Sequence, residues 1–222
     1  QELVRALARR ADVVIENMKV GGLARYGLDH ASLAASNPGL VWCSITGFGR
    51  DGPYAARAGY DFMIQGMSGL MSVTGEPGGG PVKVGVAVVD LLTGLYAAIA
   101  VLAALRHRER TGQGQHLDLA LFDCAVAGLA NQALNYLVSG EAPGRLGNAH
   151  PNIVPYQTFR AADGHLIVAV GNDGQFEKLA RVLGAPELSM DPRFATNPAR
   201  VAHRAVLVPL LAERLATRPR AA

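Results

Sequence analysis

Residues 12–16 read Asp-Val-Val-Ile-Glu, and residues 40–46 read Leu-Val-Trp-Cys-Ser-Ile-Thr. Both runs are short, apolar and rich in β-branched side chains, the pattern of strands buried on two faces. Between them, Asp29 can cap a short helix that runs to Ser36 and is ended by Pro38-Gly39. Strand, helix, strand is a βαβ unit, and strands joined that way lie parallel. A third strand is expected at Gln115–Leu119, where apolar residues alternate, leading directly into a helix from Ala120 to Leu137. Upstream, Glu2–Arg10 reads as a helix. The fold class is therefore α/β.

Between the second and third strands lie a Gly/Pro-rich loop (Gly47–Gly59), a helix over Tyr60–Met71, a flexible turn (Gly75–Pro81) and a long apolar run. From Val84 to Leu105 that run contains a single charge, Asp90. A membrane span needs ~20 apolar residues, so length alone would permit one. A carboxylate inside a span costs several kcal/mol, however, and Asp90 and Gly94 both fall well inside the run. The expectation is a helix buried on all sides in an α/β core or subunit interface, with no membrane partner. At Ser139 the character changes. Gly140–Pro155 is loop-like, followed by strands at Tyr156–Arg160 and His165–Gly171, a helix at Gln175–Leu183 and an Arg-rich helical tail. Two domains are expected, 1–139 and 140–222.

Half of the 222 residues are hydrophobic and 18% are charged, which excludes a disordered chain. Two cysteines, Cys43 and Cys124, exclude a disulfide scaffold and suit a reducing cytoplasm. A net charge of +3 with no Lys/Arg block excludes a nucleic-acid binder but suits a small anionic ligand. No secretory signal pattern opens the sequence. Gln1 falls inside a helical pattern and the last residues follow another, so the chain is expected to be cut at both ends.

Gly47-Phe-Gly-Arg-Asp-Gly52 fits G-x-G-x-x-G after a strand, but Pro53 and further loop residues follow in place of a helix, so a dinucleotide site is not expected. Gly66-Met-Ser-Gly69 lacks the spacing of a nucleophile elbow. The six histidines and two cysteines show no metal-ligand spacing, so no metal site is expected. Asp123, in Leu121-Phe-Asp-Cys-Ala125, stands where strand passes into helix. A carboxylate in a first helical turn is favoured by the macrodipole, and it is either a simple helix-start acid or a nucleophile.

Several segments taken together resemble the class III CoA-transferase family, the group of formyl-CoA and carnitine-CoA transferases. They are Asp12-Val-Val-Ile-Glu-Asn-Met-Lys-Val-Gly-Gly22, Gly47-Phe-Gly-Arg-Asp-Gly-Pro-Tyr54, Arg57-Ala-Gly-Tyr-Asp61 and Thr111-Gly-Gln-Gly-Gln-His-Leu-Asp-Leu-Ala-Leu-Phe-Asp123. The resemblance implies a Rossmann-like large domain, a small α+β domain and, in complete relatives, an interlocked homodimer. It implies CoA transfer from an acyl-CoA donor to a carboxylic acid, with Asp123 as the nucleophile that forms aspartyl anhydride and thioester intermediates. No permanently bound cofactor is implied; coenzyme A enters as part of the substrate. Asn17, Met18, Lys19 and Arg25 fall at the coenzyme-binding motif, with Arg57 and Tyr60 along the coenzyme arm. α-Methylacyl-CoA racemases share the fold but carry His where this chain has Tyr60, and an unperturbed tyrosine, with a pKa near ~10, is a poor base. The residues Gly147–Phe159 look most like relatives handling succinate- and glutarate-type dicarboxylates, with His150 a structural turn residue or an acyl-site contact. An inactive fragment is the reading from a different class.

Overall fold

A computed structural model describes residues 1–221, which fall into two compact units. The first takes Gln1–Thr74 and Pro81–Pro143; the second takes Gly75–Gly80 and the residues from Gly144 onward. The Gly-rich turn, expected inside the first domain, thus belongs to the second. Hydrogen bonds hold it there: Gly147 N–H donates to Gly75 C=O at 2.9 Å, and Arg145 Nη2 donates to Gly79 C=O at 2.6 Å.

In the first unit, strands β1 (Val13–Glu16), β2 (Val41–Thr46) and β3 (His116–Ala120) form a parallel sheet in the order β1-β2-β3. Val13 pairs with Val41, and Trp42 with His116. The central strand reads as an unbroken apolar run because both of its faces are covered: Leu40 through Ser44 are all buried. On one face Trp42 packs with Ala8 of α1 (Glu2–Ala8) and Leu33 of α2 (His30–Ala34). On the other, Ile45 packs against Ile64 of α3 (Asp61–Met67), Val89 of a long helix, and Leu121 and Ala125 beyond β3. A short α4 (Leu70–Val73) follows α3.

The long helix, α5, spans Val88–Thr111 and starts four residues later than the apolar run. It crosses from β2 to β3. Gly112 ends it with φ +75° and an N–H bonded to Arg108 C=O at 2.7 Å. Gly114 then passes under the entry to β2, where an added Cβ would lie 2.0 Å from Leu40 O. Arg108 joins Asp12 across 3.0 Å, so the end of α5 is tied to the start of the sheet. Helix α5 is long and apolar enough to cross a membrane, but its last turn is tied to Asp12 at the start of the sheet and its first turn is capped by Asp61 of α3. The expectation of burial on all sides does not hold within this chain. Val89, Thr93, Ala97 and Ala104 form the buried stripe, whereas Leu91, Leu95, Ile99 and Leu102 are 60–67% exposed.

The single helix expected after β3 is two, α6 (Leu121–Gly128) and α7 (Asn131–Ser139). The break is at Ala130, whose φ is +47°, a value that a side-chain-bearing residue rarely adopts.

In the second unit, β4 (Tyr156–Ala161) and β5 (Gly164–Ala169) form an antiparallel hairpin around Ala162-Asp163. Helices α8 (Asp173–Val182), α9 (Glu187–Met190), α10 (Asn197–Ala202) and α11 (Arg204–Ala216) follow. Leu207, Leu211 and Leu215 recur every four residues, and this stripe of α11 packs with Phe159, Phe176 and Phe194. Arg200 is fully buried among them. Its guanidinium donates to Val154 C=O, Phe194 C=O and Asp173 Oδ1 at 2.7, 3.0 and 2.8 Å, and stacks on Phe176.

Candidate active site

All three parallel strands end on one edge, at Glu16, Thr46 and Ala120. Beyond the carboxyl ends of parallel strands, the departing loops leave a crevice. A cleft of about 670 Å³ opens there in the first unit. Asn17, Met18 and Lys19 line it directly after β1. Gly47 lines it after β2, and its lack of a side chain has a direct cause. A Cβ on Gly47 would lie 2.6 Å from Gly59 Cα, and one on Gly59 would lie 2.4 Å from Gly47 Cα. The two glycines let the ends of the 47–59 loop touch, which brings the following residues back to the strand end. The G-x-G-x-x-G pattern therefore builds a closed loop, with no helix starting before Asp61.

That loop carries Arg57 and Tyr60 into the cleft wall. Arg57 lies 4.0 Å over the Tyr54 ring, Tyr54 meets Phe48 edge-on, and Phe48 contacts Phe122 of α6. A row of aromatics thus supports one of the two cations of the cleft. Tyr60 is 75% exposed and free to meet a ligand. Lys19, the second cation, is exposed as well. Arg25 is not brought in: it stacks on Tyr26 at 4.5 Å and does not line the cleft. Its position in the Ala24–Tyr26 turn, beyond the Gly21-Gly22 bend, carries it away from the strand end.

Two carboxylates line the cleft, Asp61 and Asp90, and Asp123 is not among the lining residues. Asp61 opens α3 and reaches across to α5. Its Oδ1 accepts from Val89 N–H at 2.8 Å and Asp90 N–H at 3.4 Å, and its Oδ2 accepts from Gln65 Nε2 at 2.6 Å. The side chain thereby caps a helix distant in sequence, whose own first turn supplies no side-chain cap. Asp90 stands in that first turn. Partial loss of water, and secondarily the Asp61 charge, hold its carboxyl above the usual carboxylate range. Thr93 and Gly94 continue the same face of α5 into the cleft.

Asp123 occupies the first turn of α6, two residues after Leu121, which does line the cleft. It is exposed, while its neighbour Cys124 points inward. Burial pushes the Cys124 thiol up, opposed by a hydrogen bond with Thr93. The sequence reading missed Asp61 and Asp90 as site residues. A lone acid in the first turn of a long apolar helix was the available signal for Asp90. His150 lies in the second unit, where its Nδ1 accepts from Asn152 N–H at 3.0 Å and its ring meets Tyr156. That is the structural turn role. Among the described residues no group of three or more His, Cys, Asp or Glu side chains could hold a metal ion.

A parallel α/β sheet with two cations and paired carboxylates at its carboxyl edge suits an enzyme that binds an anionic ligand. Residues 1–222 match CoA-transferase family III, and the chain belongs to that family. It is 61% identical over 202 residues to the succinate–glutarate CoA-transferase of Agrobacterium fabrum, covering 91% of this chain and 50% of that protein. It is 44% identical over 214 residues to the mouse succinyl-CoA:glutarate CoA-transferase, covering 96% and 49%. Among solved structures, a CAIB/BAIF family protein from Brucella suis superposes with a TM-score of 0.79 at 63% identity, covering 99% of this chain and 58% of that one. The chain spans about half the length of the curated relatives it matches.

Proposed function

We propose that this chain carries the acyl-CoA site of a transferase that moves coenzyme A from a dicarboxylyl-CoA donor of the succinyl-CoA type to a carboxylic acid acceptor. The observation that carries the reading is the cleft itself, which gathers Lys19 and Arg57 with the Asp90 carboxylate at one sheet edge. The two cations suit the coenzyme's phosphates, Arg57 through its planar fork. Asn17 and Tyr60 offer hydrogen bonds, and Met18 an apolar contact, along the coenzyme arm. Coenzyme A is here part of the substrate. The relatives' names support succinate- and glutarate-like acids.

Geometry favours Asp90 as the nucleophile. A carboxylate needs no general base at neutral pH, its unperturbed pKa being about 3.9. Partial desolvation makes Asp90 the more reactive when ionised. An Asp90 oxygen attacks the thioester carbonyl carbon, the carbon–sulfur bond breaks, and CoA thiolate leaves an aspartyl acyl anhydride. The thiolate then attacks the aspartyl carbonyl, which releases the donor acid and leaves an aspartyl-CoA thioester. The acceptor carboxylate displaces the thiolate to form a second anhydride. Thiolate attack on its acceptor carbonyl yields the new acyl-CoA and restores Asp90. Asp123 is the second reading, favoured by its place one residue beyond the Leu121-Phe122 start of α6, at the same sheet edge. Racemisation is disfavoured, since the cleft wall carries Tyr60, a poor base near neutral pH, at the position where the racemases carry His.

Asp90→Asn and Asp123→Asn separate the two carboxylates. In the full-length polypeptide Asp90→Asn is expected to lower kcat by about a thousandfold or more, on the scale of losing a group that acts only in the transition state. Asp123→Asn is expected to leave most of kcat. The opposite ranking assigns the chemistry to Asp123, and equal retention by both removes the carboxylate mechanism.

A further inference from the structure

Gln65 is fully buried in α3, and both ends of its amide are engaged. Nε2 donates to Asp61 Oδ2 at 2.6 Å, one turn earlier, and Oε1 accepts from Val84 N–H at 2.8 Å. The orientation of the amide follows from chemistry: a carboxylate only accepts and a backbone N–H only donates, so the flipped amide would oppose both. Through Asp61 the connection continues to Val89 N–H and Asp90 N–H, the second and third residues of α5. Gln65 therefore holds the chain entering α5 at one point and the backbone of Asp90 at another. A residue needed only to fill the space beside Ile64 and Val89 would be apolar, since burying an amide is unfavourable unless it is hydrogen-bonded.

We propose that Gln65 is a positioning residue for the transfer reaction, setting through Asp61 and Val84 where the Asp90 carboxylate stands relative to the incoming thioester. This rests on Asp90 as the nucleophile. A misplacement of about 1 Å in a reacting group can lower a rate ~100-fold without touching binding. Gln65 does not line the cleft, whereas Lys19 and Arg57, which would bind the coenzyme, do. Loss of Gln65 should therefore be felt in turnover and not in coenzyme affinity.

The test compares Gln65→Met and Gln65→Glu with the parent in the full-length polypeptide. Read out are kcat, KM for succinyl-CoA, Kd for free CoA and amide hydrogen exchange at Val84, Val89 and Asp90. Gln65→Met keeps length but removes both hydrogen bonds. Gln65→Glu keeps the acceptor for Val84 and loses the donor to Asp61. Both are expected to lose roughly tenfold to a hundredfold in kcat. KM and Kd should stay near parental values, and Val89 and Asp90 should exchange faster in both. Unchanged kcat in either folded variant overturns the proposal, as does a fall in CoA affinity that matches the fall in kcat. Should Gln65→Met fail to fold, Gln65→Glu decides by the same criteria. A parent that turns over no acyl-CoA overturns the proposed function instead. Unaltered exchange at Val89 and Asp90 then overturns the positioning role independently.

Discussion

Asp90 and Asp123 are both acids in the first turn of a helix that leaves the parallel sheet or crosses it, and position alone leaves Asp123 either a helix-start acid or a nucleophile; the family resemblance is what points to it. Asp123 stands three residues beyond the end of β3, whereas Asp90 interrupts an apolar run. The partner that gives Asp90 its setting is Asp61, 29 positions away in sequence, and only the crossing of α3 and α5 brings them together. That is why Lys19, Arg57 and Tyr60, each close to a strand end or a glycine turn, were legible, while the carboxylate pair was not. Two half-buried histidines, His30 and His116, stand together beside Ser44. His116 Nε2 lies 2.9 Å from Ser44 Oγ, which also accepts from Trp42 Nε1 and Arg50 Nη1, and the His30 ring stands 5.0 Å away. Burial first, and then the Arg50 cation, hold His116 below the ordinary histidine range; burial does the same for His30. The unfolded chain therefore binds protons that the folded one refuses. Stability should fall as pH drops from about 6.5 toward the lower folded values, by at most ~1.4 kcal/mol per pH unit for each proton. Denaturant titrations across that window should show the slope, and His116→Gln should reduce it; an identical slope in the variant would assign the effect elsewhere.

At the scale of elements, the strands were readable because they are short, apolar and β-branched, and β2 sits within the bounds that its sequence suggests. The helix boundaries were less so. α5 begins only where Asp61 and Gln65 fix the chain, and the α6–α7 break depends on Ala130 alone. Which face of α5 its own chain covers was not legible, because a helix apolar all round gives no sign of it. Gly94 lies in the interior of this helix, on the cleft wall, with nothing within 4 Å of an added Cβ. Gly94→Ala should therefore stabilise the helix by about 0.5–1 kcal/mol, the usual difference between these residues. It should also lower kcat/KM for acyl-CoA, since the methyl group occupies the cleft one turn from Asp90. A higher Tm with reduced kcat/KM is the expected pair of results; a higher Tm with undiminished kcat/KM would place the ligand away from α5.

At the scale of the whole molecule, the two units have separate cores, the first on the faces of β1–β3 and the second along α11. The return of Gly75–Gly80 to the second unit was not legible, because a glycine-rich turn carries no apolar pattern to declare its allegiance; its backbone hydrogen bonds do. Within the second unit Arg200 binds two carbonyls and Asp173 from a buried position. Arg200→Met should destabilise that unit by about 2–4 kcal/mol, through unpaired acceptors and a lost ion pair. Exchange protection in the first unit should be spared; loss of protection along β1–β3 would contradict separate cores. Whether acyl transfer runs through a carboxylate in the cleft is read out by incubating the full-length polypeptide with succinyl-CoA, trapping with hydroxylamine and mapping the modified residue by peptide mass spectrometry. A hydroxamate at Asp90 that is absent from Asp90→Asn is the expected result; a hydroxamate at Asp123, or none on active protein, would rule out transfer through Asp90.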